Sequence, residues 1–255
     1  MGDLLEALDR AVRSMTAGRD IAVAFSGGLD SGVVAVLAKK YARSVRLYTV
    51  GTDDSYDVKA ARDMCQHLDM EWEHIVLDED SLTEGLRKSI KVTGTVDPVV
   101  LSFEVPLMMI LPRVKETYVI GGQGADETLW GYSKYLDLSE SELRTVVERD
   151  MRKLREVTLA HESKMASRYG KTVLYPFLDS VVQDAVSDLP FEYMRPVGDN
   201  RKRPLKDAAL ELGYPEIAGK TKKAAQYGTG SMNMIKRIAK RNGQSVSEFI
   251  GSLEG

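Results

Sequence analysis

A short apolar run, Ile21-Ala22-Val23-Ala24-Phe25, is followed at once by Ser26-Gly27-Gly28-Leu29-Asp30-Ser31 and then by a helical pattern. A continuous apolar run fits a strand buried on both faces, as in a parallel sheet. Parallel strands need crossover connections, and helices usually make them. The alternation continues along the chain. Asp3 to Met15 puts Leu4, Leu5, Leu8, Val12 and Met15 on one helical face. Ser31 to Ala42 reads as helix, Arg46 to Val50 as strand, Ser55 to Leu68 as helix and Glu73 to Leu77 as strand. Two helical stretches follow, Leu82 to Ile90 and Val99 to Val114, and a fourth strand begins at Thr117. The pattern predicts an α/β fold with a doubly wound, mostly parallel sheet. From Ser139 the character changes to long charged helical patterns such as Ser141 to Tyr169, and only Lys171 to Tyr175 suggests a further strand. The expectation is one domain over residues 1–255, with a sheet core over roughly 1–135 and a helical layer over roughly 136–255 packed on it.

Composition narrows the function classes. Of 255 residues, 43% are hydrophobic and 29% charged, which suffices for a sizeable core. A net charge of −3 gives no electrostatic footprint for nucleic acid or membrane. The single cysteine, Cys65, excludes an intrachain disulfide and fits a reducing compartment, so a cytoplasmic location is expected. No apolar stretch nears the ~18 residues of a membrane span, and the acidic, amphipathic start is unlike a secretory signal. His67, His74 and His161 have no metal-site spacing. Cys65, Trp72, Trp130, Tyr132, Tyr135 and Phe177 read as packing residues or crevice wall.

The glycine turn carries the first chemical signal. Without side chains, Gly27 and Gly28 let backbone N–H groups approach a bulky anion. The helix that follows aims its N-terminal N–H groups and dipole at the same place. Ser26 and Ser31 add hydroxyl donors. Asp30 suits such a site only if a divalent cation links it to phosphates. The segment is neither a G-x-x-x-x-G-K-[ST] loop nor G-x-G-x-x-G. A second strand-to-glycine turn comes at Gly121-Gly122-Gln123-Gly124, followed by Asp126 and Glu127. In open α/β sheets such turns line the crevice at the carboxyl ends of the strands. Asp30 and Asp126 are therefore the candidate metal ligands. A favourable first-turn charge is the alternative for Asp126 and Glu127.

Four stretches carry a family resemblance. Ser26-Gly-Gly-Leu-Asp-Ser31 resembles the signature of PP-loop ATP pyrophosphatases, which cleave ATP between its α- and β-phosphates and transfer AMP. Residues 121–132, GGQGADETLWGY, resemble the second signature of asparagine synthetases. Residues 175–179, YPFLD, and the segment from Arg201 to Gly230 resemble their downstream motifs, in the same order. The resemblance is to the synthetase domain. That family's glutaminase domain carries a cysteine at position 2, whereas residue 2 here is Gly2, so a stand-alone synthetase-like domain is expected.

The resemblance implies an ATP- and Mg2+-dependent ligase. It would activate a carboxylate, aspartate being the family substrate, as an acyl-adenylate for attack by ammonia or another amine. The ammonia could come from a separate glutaminase subunit, and a homo-oligomer is compatible. The implied nucleotide-binding residues are Ser26, Gly27, Gly28, Asp30, Ser31, Gly121, Gly122 and Val50, the last being equally a core valine. Lys223 or Lys222 is implied to stabilise charge on the α-phosphate, Asp126 to hold the metal, and Gln123 to face the amine. Arg201, Lys202, Arg203 and Lys206 could add phosphate contacts, with surface solvation expected for most. Two departures stand out. Gln123 replaces a family glutamate, and glutamine cannot take a proton. Thr158 replaces a family acidic residue, with Glu162 nearby to compensate. The rival readings are another PP-loop adenylating enzyme and a non-catalytic nucleotide-binding regulator.

Overall fold

The computed structural model describes residues 4–220 and 228–254. The apolar run forms β1 (Asp20–Ala24), in which Ile21, Ala22 and Val23 are fully buried. Helix α1 (Leu4–Thr16) precedes it, and α2 (Leu29–Tyr41) follows the glycine turn. Then come β2 (Ser44–Gly51), α3 (Tyr56–Leu68), β3 (Glu71–Val76), α4 (Glu79–Thr93), α5 (Pro98–Ile110) and β4 (Tyr118–Gly121). The five strands run in the order β3-β2-β1-β4-β5, each neighbouring pair parallel. Ala24 pairs with both Tyr48 and Gly121, so β1 is central. The chain winds outward from β1 through β2 and β3, then returns to β4 on the other side. The strand order thus reverses between β1 and β4, which is where ligands bind in such sheets.

The second half of the chain does more than cover the sheet. β5 (Thr172–Leu174) extends the sheet past residue 135, pairing Leu174 with Ile120. The expected long helix from Ser141 is present, with one π-helical stretch inside it. After the short α6 (Ala125–Thr128), α7 (Glu140–Lys153) passes through a wide turn at Leu154–Thr158 into α8 (Leu159–Arg168). Later helices divide between the two faces. α9 (Ser180–Ser187) packs with α1, α2 and α3 around Leu8, Val33, Met64 and Val182. α8 and the helix Ser231–Arg241 pack with α4 and α5 around Leu82, Val105, Met165 and Ile235. Among the described residues, no single helix is long and apolar enough to cross a membrane.

Candidate active site

The turn after β1 is shaped by close approach. Gly27 has φ +69°, and a β-carbon there would overlap the backbone of Ala60 and Ala61. Only glycine relieves both constraints at once. Ser26 and Ser31 close the turn, with their hydroxyls 3.1 Å apart and the Gly28 N–H donating to Ser26 Oγ at 3.3 Å. Ser55, Asp78 and Asp97 cap α3, α4 and α5 through their side chains, whereas α2 begins at Gly28 with no side-chain cap. Its first-turn N–H groups and dipole face the crevice, an arrangement suited to an anion.

The turn after β4 presses against this one. A β-carbon at Gly122 would lie 2.6 Å from Asp30 Cβ, so Gly122 is what lets β4 end beside the start of α2. Gln123 is half-buried at the same turn. Asp126 follows in α6, and one cation ties the two turns together. Lys202 Nζ lies 2.7 and 2.6 Å from Asp30 Oδ1 and Oδ2, and 2.8 Å from Asp126 Oδ1. Lys202 is only 4% exposed, and that burial pushes its pKa down while Asp30 opposes the shift. Its backbone adopts φ +56°, a conformation costing a non-glycine residue roughly 1–3 kcal/mol. Gly131 makes room for it, since a β-carbon there would overlap both Lys202 Cε and Asp126 Oδ1.

Beside this triad lies a cavity of about 240 Å³. Ser26, Gly28 and Asp30 line it, as do Tyr56, Asp57 and the cations Arg201, Lys202, Lys206 and Lys220. Arg201 Nη1 donates to Gly131 O at 3.1 Å, and Lys220 pairs with Asp63 at 2.8 Å. Such a pocket, with an open helix N-terminus and several cations, suits a polyphosphate.

The structure thus brings together Ser26, Gly27, Gly28, Asp30, Ser31, Gly121, Gly122, Gln123 and Asp126. Val50 is 3% exposed, packs in the core with Ile75 and Leu77, and does not line the cavity. Lys222 and Lys223 lie outside the described residues. The residue that sequence reading underrated is Lys202. Solvation was expected for most of its basic run, yet Lys202 is buried at the centre of the site. No local sequence signal marks it: Pro204 sets only where α10 (Arg203–Glu211) begins, and the carboxylates that bury Lys202 are distant in the chain. Two carboxylates converge on one point, now filled by the Lys202 ammonium, and would suit Mg2+ if that ammonium turned aside. Among the described residues no three His, Cys, Asp or Glu side chains form a metal cluster.

The profile of the asparagine synthase family matches residues 3–145 and 137–248. The chain belongs to the asparagine synthase family. A provisionally named glutamine-hydrolysing asparagine synthetase 1 of Methanocaldococcus jannaschii is 28% identical over 98% of this chain and 54% of its own length. Asparagine synthetase B of Escherichia coli is 25% identical over 96% of this chain and 48% of its own. A carboxyethyl-arginine beta-lactam-synthase of Streptomyces clavuligerus is 26% identical over 91% of this chain and 45% of its own. The chain therefore spans about half the length of these relatives.

Thr158 lies in the wide turn between α7 and α8, half-buried. Glu162, one turn into α8, is 9% exposed. Burial, with the nearby Glu104 and Glu127 charges, pushes its pKa up to about 7, partly opposed by the Tyr175 hydroxyl. Glu127 is also buried, accepts from Tyr132 at 2.8 Å, and has its pKa raised chiefly by desolvation.

Proposed function

We propose that this chain is an ATP-dependent carbon–nitrogen ligase that activates a carboxylate as an acyl-adenylate. The observation that carries the reading is the convergence of Asp30 and Asp126 on one point, beside the uncapped N-terminus of α2 at the β1–β4 reversal. Family membership supports ATP use and amide-bond synthesis.

In this reading the triphosphate lies along the Ser26–Ser31 turn. Backbone N–H groups, Arg201, Lys206 and Lys220 would orient it, and Asp30 and Asp126 would hold Mg2+. The ion would supply neutralisation of phosphate charge, and Lys202 would turn from the carboxylates to the phosphates. An acceptor carboxylate oxygen attacks the α-phosphorus while the bond to the bridging oxygen of pyrophosphate breaks. The amine then attacks the acyl carbon, AMP departs with the C–O bonding electrons, and the nitrogen loses a proton. Lys223 or Lys222 is proposed to meet the charge growing on the α-phosphate. Gln123 cannot take the proton, so another group or water must. The protein acts mainly by positioning and charge neutralisation.

Aspartate is one acceptor to test. One relative is named for carboxyethyl-arginine, so family members are not confined to asparagine by name. The test is ATP–pyrophosphate exchange across a panel of carboxylic acids, with products identified. Exchange with some acid, and release of AMP and pyrophosphate, is expected. Cleavage to ADP and phosphate would overturn the reading. Gln123 favours a second reading, a nucleotide-binding regulator, which predicts nucleotide binding with no exchange for any acid.

A further inference from the structure

The Lys202 ammonium occupies the point on which the Asp30 and Asp126 carboxylates converge. Its Nζ lies 2.7 and 2.6 Å from the two oxygens of Asp30 and 2.8 Å from Asp126 Oδ1. A magnesium ion would need the same oxygens at roughly 2.0–2.1 Å. The two cations would repel at contact distance, in a space with little solvent to screen them. These oxygens therefore hold either the ammonium or the ion.

An ion arriving alone gains little from the exchange. Lys202 is 4% exposed, so its displaced ammonium would stay buried without a counter-charge, which is strongly unfavourable. The other charges nearest to it are Glu127 and Arg201. Glu127 already accepts from the Tyr132 hydroxyl at 2.8 Å, and Arg201 repels. The ion would also find few protein ligands, since among the described residues no third His, Cys, Asp or Glu side chain joins the pair. A triphosphate changes both sides of the exchange. Its oxygens complete the shell of the ion and give the displaced ammonium a partner. The local fold leaves room for that movement. Lys202 has φ +56° and caps the start of α10, which fixes its backbone. Gly131 presses on the stem, where a β-carbon would lie 2.0 Å from Lys202 Cε. The open side is the cavity lined by Gly28, Asp30, Lys202 and Lys206.

We propose that Lys202 is a resident counter-ion that keeps free divalent metal out of the crevice until a polyphosphate arrives. Metal and nucleotide then enter as one unit. A metal-free triphosphate meets a lysine still held by the two aspartates. This order of binding rests on the magnesium–triphosphate reading and adds a gate to it.

The test is equilibrium dialysis of the whole chain against MnCl2, with Mn2+ as the probe and no turnover involved. Without nucleotide, wild type should take up no Mn2+ below about 1 mM. Lys202→Met keeps the stem and removes the charge, and should bind Mn2+ at least about tenfold more tightly than wild type. Adding Asp30→Asn to that variant should abolish the uptake, which places the ion. With α,β-methylene-ATP on both sides of the membrane, wild type should also retain Mn2+. Equal uptake by wild type and Lys202→Met without nucleotide would overturn the gate and leave the metal site standing. A variant that still needs nucleotide to take up the ion would do the same. No retention by either protein, even with nucleotide, would refute the metal-site reading itself, and the gate with it. A Lys202→Met chain that stays unfolded in millimolar Mn2+ would also overturn the proposal, because the ion is expected to replace the lost charge.

Discussion

The Lys202 ammonium lies 2.6 and 2.7 Å from the two carboxylate oxygens of Asp30, although 172 residues separate them. With Asp126 at 2.8 Å, this lysine stands between two carboxylates that would otherwise repel. Removing one partner of a buried ion pair leaves charge uncompensated and costs about 3–5 kcal/mol. Lys202→Met should therefore lower stability by that order in urea unfolding. Millimolar MgCl2 should restore part of the loss, because the vacated point suits a divalent cation. An equal stability in wild type and variant, with or without Mg2+, would show that the triad is not a stabilising unit.

Gly131→Ala should act on the same triad by crowding. The new β-carbon would overlap Lys202 Cε and Asp126 Oδ1, so both must move. Mg-ATP affinity should fall by about tenfold or more while the far-UV spectrum is retained. Unchanged affinity in calorimetry would show that the crevice tolerates a displaced Asp126.

Glu162 makes stability depend on pH. Its folded pKa of about 7 lies above the ordinary 4.5, so the folded state holds a proton that the unfolded chain has released. The sign follows: its contribution is fully present below about pH 4.5 and is lost as pH rises through about 7. The whole change is on the order of 3 kcal/mol. Glu162→Gln should flatten the stability profile over this window. A variant with the same slope as wild type would assign the titration to another group.

Gln123→Glu bears on the acceptor. If aspartate is the substrate, restoring the family's glutamate should be tolerated or helpful. If the substrate is another acid, a further negative charge would instead face the phosphates in a partly desolvated crevice. Pyrophosphate release with aspartate and ammonia should rise by no more than about threefold, a gain of under roughly 1 kcal/mol. A gain of about tenfold or more would point back to aspartate.

Much of the fold was readable because its signals are local. The continuous apolar run at Ile21–Val23 marked a central strand, and the two glycine turns marked the crevice. The alternation located β2, β3 and β4 within a few residues. Features that depend on distant partners were hidden. Arg201 to Lys206 looks like a solvated basic run, and nothing nearby in sequence says that Asp30 and Asp126 bury Lys202. Glu104 sits in an otherwise apolar helix without a local sign of its role, because its partner His161 is 57 residues away. The π-helical widening at Leu154–Thr158 carries no proline or glycine and has no local sign in the sequence. Val50 shows the opposite limit, since a strand-end valine reads alike as core and as ligand contact.

Titration of Mg-ATP into wild type and Asp30→Asn tests the central claim most directly. The substitution keeps the shape of the side chain and leaves Lys202 paired with Asp126. Wild type should bind Mg-ATP more tightly than ATP with excess chelator. Asp30→Asn should bind Mg-ATP at least about tenfold more weakly, a loss of ~1.4 kcal/mol or more, and should lose the dependence on Mg2+. Equal affinity and equal metal dependence in the two proteins would contradict a magnesium–triphosphate site at Asp30 and Asp126.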